Sequence, residues 1–139
     1  MRGLLTRLFA LIFSLGVFLG FTGCGDMKPE DKAIEITQNL YNGEAKKVVE
    51  EIALQGKEDL TDEEKQMLNG KFEVMSASAK QNAQRKGGVQ DIKVLEVVFD
   101  ESDSTRARVN IETTFKNGAK AKDRFDLMQV KGKWKLLLK

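Results

Sequence analysis

The chain of 139 residues contains no histidine, one cysteine, one proline, one tryptophan and one tyrosine. Without histidine it lacks the side chain that most often moves protons near neutral pH and most often ligates metals. With Cys24 as the single cysteine, no disulfide can form within the chain, so the fold rests on its core alone. No Cys/His spacing suits zinc, no glycine-rich loop is placed to cradle phosphate, and no Ser/His/Asp set exists. Neither a cofactor nor a metal is expected. Asp91, Asp100, Glu101 and Asp103 gather around one turn but lack the ordered spacing of a calcium loop, and read as solvated turn residues.

What the chain does carry begins at its start. Arg2 and Arg7 form a positive region, and Leu8 to Phe21 is an apolar run broken only by Ser14, Gly16 and Gly20. Such a segment reads as a secretory signal peptide, residues 1–23, and is set aside from fold reasoning. The run is shorter than the roughly 20 residues that span a bilayer as a helix, which disfavours a retained anchor. The ending Phe21-Thr22-Gly23-Cys24 resembles the bacterial lipobox, although the usual leucine is replaced by Phe21. That resemblance implies cleavage before Cys24, lipidation of its thiol, and attachment to a cell membrane facing the periplasm or exterior. Lipidation would also consume a thiol that is odd in a secreted chain. Gly25 rather than aspartate follows the cysteine, which favours the outer membrane if two exist. Residues 24–28 then form a short tether that keeps the domain near the membrane.

Loss of Arg2 and Arg7 leaves 21 basic against 21 acidic residues. The balance is uneven: acids exceed bases by six over residues 24–70, and bases exceed acids by six over residues 71–139. Two complementary halves of one fold would give this pattern, and it also allows steering of charged partners.

Residues 29–139 suit one domain. Pro29 fits the first turn of a helix, with Glu30, Asp31 and Glu35 near its positive end and an apolar stripe of Ala33, Ile34, Ile36, Leu40 and Tyr41. Asn42-Gly43 ends it. A second helix is expected from Glu44 to Leu54, on Ala45, Val48, Val49, Ile52 and Ala53. Thr61 and Glu64 form a capping box that opens a long helix from Asp62 to about Lys86, with stripe Leu68, Phe72, Met75, Ala79 and Ala83. Gly70 inside it suggests a kink or a close contact, and Gly87-Gly88 stops it. Four strands follow: 91–100, 105–115, 120–130 and 134–138. The second alternates cleanly, and Asn117-Gly118 signals a hairpin. The expected fold is α+β, with about three helices on a four-stranded curved antiparallel meander and the long helix covering one sheet face.

The early helix from Pro29, the Asn42-Gly43-Glu44-Ala45 junction and the terminal Gly132-Lys133-Trp134-Lys135-Leu136 turn-and-strand resemble the NTF2-like (cystatin-like) superfamily. Together with the lipobox they resemble, more narrowly, the small bacterial lipoproteins of the DUF4878 family. The resemblance implies a sheet curled around a cavity roofed by helices. It leaves open whether that cavity serves an isomerase or dehydratase, a binding module or a dimer.

Two groups of residues are candidates for function. Asp123 shares a strand face with Ala121, Phe125 and Leu127, so it reads either as an acid at a pocket rim or as an ion-pair partner of Lys122 and Arg124. Arg106, Arg108, Lys120, Lys122 and Arg124, with Lys133 and Lys135 beside them, form a basic sheet face that could meet anionic lipid; the alternative is an ordinary solvated face kept soluble by lysine. Nucleic acid is not implied, since few aromatics interleave these charges. The expectation is a non-enzymatic, membrane-anchored binding or interaction module, partnered by an envelope protein or anionic lipid. A pocket enzyme and a structural homodimer are the rivals. An open cavity with a buried acid would favour the enzyme, and a closed apolar one a structural core.

Overall fold

The computed structural model describes residues 27–57 and 59–138. The signal segment, Cys24 and most of the tether lie outside them. Helix α1 (Pro29–Tyr41) opens with its proline in the first turn, and the Asp31 carboxylate accepts the Lys28 N–H at 3.4 Å. Its Ala33 and Ile36 are fully buried, and the Thr37 hydroxyl, also buried, donates to the Ala33 carbonyl at 2.8 Å. Asn42 caps the helix, and Gly43, at φ 77°, turns the chain in a region that glycine adopts without strain. Helix α2 (Ala45–Glu50) buries Ala45, Val48 and Val49.

The helix expected to run on to Leu54 stops at Glu50. Ile52–Leu54 is instead a strand, β1, which pairs parallel with β5 (Lys133–Leu138) in the register Ile52↔Leu136 and Leu54↔Leu138. The Leu136 N–H donates to the Glu51 carbonyl at 2.6 Å, and the Gln55 N–H to the Leu138 carbonyl at 3.1 Å. Ile52 and Ala53 are buried all the same. As a strand they also satisfy the backbone edge of β5, which no helix side chain could do. The sheet therefore has five strands, not four, and is mixed.

Helix α3 (Asp62–Arg85) begins with the expected capping box: Thr61 Oγ1 accepts the Glu64 N–H at 3.2 Å, and the Glu64 carboxylate accepts the Thr61 N–H at 3.1 Å. Its buried positions are Leu68, Phe72, Ser76 and Ala83. Met75, assigned to the stripe from sequence, is 53% exposed; Ser76 points inward because its hydroxyl donates to the Leu40 carbonyl of α1 at 2.8 Å. Nor does α3 form the layer on the sheet. That layer is α1, which touches β2, β3 and β5, while α3 packs mainly on α1 and α2. A helix buried on one narrow stripe suits an outer position, and most of the rest of α3 is exposed. Gly70 needs no kink, since a Cβ there would meet nothing within 4 Å.

Strands β2 (Val89–Phe99), β3 (Arg106–Phe115) and β4 (Lys120–Val130) complete a sheet ordered β1-β5-β4-β3-β2. On β3, Ala107, Val109, Ile111, Thr113 and Phe115 are buried toward the helices. Ala107, Val109 and Ile111 meet Ile36, Leu127, Trp134 and Leu136 in one core. Trp134, at 4% exposure, is the largest side chain in that core. Among the described residues no helix is long and apolar enough to cross a membrane.

Candidate functional site: the uncovered sheet face

Helices cover one face of the sheet, and strand alternation sends the candidate cations to the other. The β3–β4 register pairs Arg106↔Met128, Arg108↔Asp126, Asn110↔Arg124, Glu112↔Lys122 and Thr114↔Lys120. Arg106, Arg108, Lys120, Lys122 and Arg124 therefore share one face, as alternation requires. On β5, Lys133 and Lys135 are opposite Val130 and Met128 and extend the same face.

Acidic residues interleave these cations, which sequence reading did not bring out. Arg108 Nε lies 3.0 Å from Asp126, Lys120 Nζ 3.5 Å from Glu112, and Arg106 Nε 3.7 Å from Asp103. Lys122 and Arg124 make no ion pair within 4 Å among the described residues. Next to them, Asn110 donates to Glu96 of β2 at 3.2 Å. Two open hollows lie here. One, of about 820 Å³, is bordered by Glu96, Asn110, Lys122, Asp123 and Arg124. The other, of about 670 Å³, shares Glu96, Asn110 and Arg124 and reaches Arg106, Arg108 and Asp126. The in-register pair Arg108–Asp126 fixes the position of that cation, while Lys122 and Arg124, like Lys133 and Lys135, keep their charge available to a partner.

Asp123 follows neither of its sequence readings fully. Its register partner is Ile111, so it stands on the helix-covered side, yet the residue is solvent-exposed. It makes no ion pair with Lys122 or Arg124, which point the other way. Partial desolvation holds its carboxyl above the ordinary carboxylate value. Tyr41 of α1 is close enough to feel it: burial raises the phenol's pKa, and the Asp123 charge raises it further. The Tyr41 ring meets Phe115 edge-on at 5.6 Å, and Thr113 Oγ1 is buried with no hydrogen-bond partner. This small polar group could hold or exchange one proton.

Lys32 was not singled out from sequence. It is buried at 6% exposure and ties α1 to the end of α2, with Nζ 2.8 Å from Glu51 and 3.2 Å from Glu35. Burial alone would lower its pKa; the bonds to Glu51 and then Glu35 outweigh that and hold it raised. The Lys-x-x-Glu spacing was visible, but Glu51 is brought in only by the fold. The turn acids Asp100 and Asp103 bind their own loop: Asp100 accepts from the Ser102 hydroxyl at 2.7 Å and its N–H at 2.8 Å, Asp103 from the Thr105 hydroxyl and its N–H at 2.9 Å, and those bonds hold both carboxyls below the usual range.

No curated protein matches the chain. A Campylobacter jejuni protein, whose crystal structure carries the name "Putative NTF2-like transpeptidase", is 31% identical, covers 81% of this chain and 100% of its own, and superposes with a TM-score of 0.70. The profile described as "Domain of unknown function (DUF4878)" matches residues 22–137. The chain thus belongs to the DUF4878 family, within the NTF2-like superfamily.

Proposed function

We propose that this protein is a lipid-anchored envelope lipoprotein, and that its domain is a non-enzymatic module whose uncovered sheet face docks on anionic lipid headgroups. One observation carries the reading: Lys122 and Arg124 stand unpaired on a helix-free face that also holds cations fixed in place by acids and, at the other end of β4, Lys133 and Lys135. Each cation near an anionic surface adds about 1 kcal/mol of attraction. The interleaved acids reduce the sum, so several residues must act together. A tether of residues 24–28 would hold the domain where a weak, multi-residue attraction is effective.

The name of the Campylobacter relative suggests acyl transfer. That chemistry needs a serine or cysteine with a base in reach. Here the Ser76 hydroxyl is committed to the Leu40 carbonyl and the Ser102 hydroxyl to the Asp100 carboxylate of its own exposed turn, and the chain has no histidine to serve as the usual base. A second reading, proton transfer in a pocket, draws on the Tyr41, Thr113 and Asp123 group. It would require Asp123→Asn to abolish an activity and leave surface binding alone.

Flotation of residues 27–139 with vesicles tests the main reading. Binding is expected to vesicles containing an anionic phospholipid, to be absent from neutral ones, and to fall as salt rises toward physiological strength and beyond. Equal binding to both vesicle types, or none to either, would reject it.

A further inference from the structure

β2 is an edge strand of eleven residues, and among the described residues nothing pairs with its outer side. Edges of this length are usually blunted by proline, by lysines or by a covering segment. β2 has a lysine, Lys93, and a bulge, yet it also presents apolar surface. Of the six large apolar residues that stand exposed among the described residues, three lie on β2: Leu95 at 43%, Val98 at 47% and Phe99 at 50%. Only Asp91, Lys93 and Glu96 bring charge. We propose that the β2 edge is the interface with a second copy of this chain, paired antiparallel about a two-fold axis between Val94 and Leu95, so that Lys93 of each copy faces Glu96 of the other.

The register follows from β2 itself. A β-bulge lies between Val94 and Glu96, where Val94 is opposite Ile111 and Glu96 opposite Asn110, leaving Leu95 as the extra residue. A bulge shifts the alternation by one. Ile92, Val94, Val97 and Phe99 therefore face the helix side, opposite Thr113, Ile111, Val109 and Ala107. Lys93, Glu96 and Val98 face the other side, opposite Glu112, Asn110 and Arg108. Antiparallel partners must share a face. With Lys93 opposite Glu96, Ile92 falls opposite Val97 and Asp91 opposite Val98, and each of these pairs shares a face. The bulge makes this possible: in an unbulged strand, two positions three apart point to opposite faces. The register also creates two symmetric, opposite-charge pairs. Sliding it by two residues would place Lys93 opposite either Val94 or Val98 and break both.

A two-fold axis between antiparallel strands of one sheet runs perpendicular to the sheet. Both copies then turn the same face the same way. The dimer would be a continuous ten-stranded sheet with all its helices on one side. The face bearing Lys122 and Arg124 would be doubled on the other.

The test is a charge exchange on the full chain, purified in density-matched detergent and measured by sedimentation equilibrium. The wild type is expected to be dimeric. K93E puts carboxylates opposite each other at both ends of the interface, and E96K does the same with ammonium groups, so each alone should weaken association about tenfold or more. Two further samples restore the complementarity: an equimolar mixture of the two variants, which should pair with each other, and the double variant K93E/E96K, which should pair with itself. Far-UV circular dichroism matching the wild type shows that each variant is folded. A wild type that stays monomeric at all concentrations would overturn the proposal. So would a dimer indifferent to both single changes, or a mixture that fails to associate.

Discussion

Trp134 and Asp123 show two ways in which a single side chain is constrained here. Trp134, the second residue of β5, is buried at 4% exposure and meets Phe99 edge-on at a ring distance of 6.1 Å. Trp134→Ala should cost about 3–5 kcal/mol, read from urea denaturation; a loss under about 1 kcal/mol would mean that the ring is not the core's anchor. Asp123 carries a charge on the helix side of the sheet and makes no ion pair among the described residues. Its raised carboxyl pKa means that the folded state takes up a proton more readily than the unfolded chain. Its ionised form therefore costs stability at neutral pH, and that cost vanishes as pH falls through the folded pKa and below the unfolded value of about 3.9. Asp123→Asn should stabilise the protein slightly at pH ~7 and make no difference near pH ~3. The gain is small because the residue is partly solvated. An equal or larger gain in acid would contradict the assignment.

Elements with local signatures were legible in the sequence. The Thr61–Glu64 capping box places the start of α3, and Asn117-Gly118 sets the β3–β4 register that brings Thr114 opposite Lys120. The basic face follows from that register and was legible too. β1 was not, because Val48, Val49, Ile52 and Ala53 keep helical spacing, and the partner that makes Ile52 a strand residue is Leu136, far along the chain. The layer order was hidden for the same kind of reason. A stripe says that α3 must pack, but only tertiary structure decides that α1 reaches the sheet first. The acids that neutralise part of the basic face, Asp126 and Glu112, needed exact cross-strand pairing to be seen as partners. Gly70 gives a test within α3. It has open space for a methyl group and an ordinary helical backbone, so Gly70→Ala should stabilise by about 0.5–1 kcal/mol. A loss of stability would mean that this position makes a close contact after all.

At the scale of the whole molecule, the fold separates its duties by side. One side of the sheet is sealed by α1, with α2 and α3 behind it, and the other is left to charge. The proposed anchor should be visible as a mass: intact-protein analysis from the native host should find the chain cleaved before Cys24 and acylated there. Cys24→Ala should accumulate as precursor, and a mature, unacylated wild type would remove the anchor from this account. The central claim concerns the sheet face, and comparing two charge reversals tests it most directly. K122E/R124E changes the uncovered sheet face, and K65E/K71E makes the same change in net charge on the exposed side of α3. Binding of both variants to anionic vesicles should be titrated beside the wild type at low salt. The sheet-face variant should lose binding while the helix variant keeps it; equal losses would mean that net charge alone, and not this face, governs attraction to the membrane.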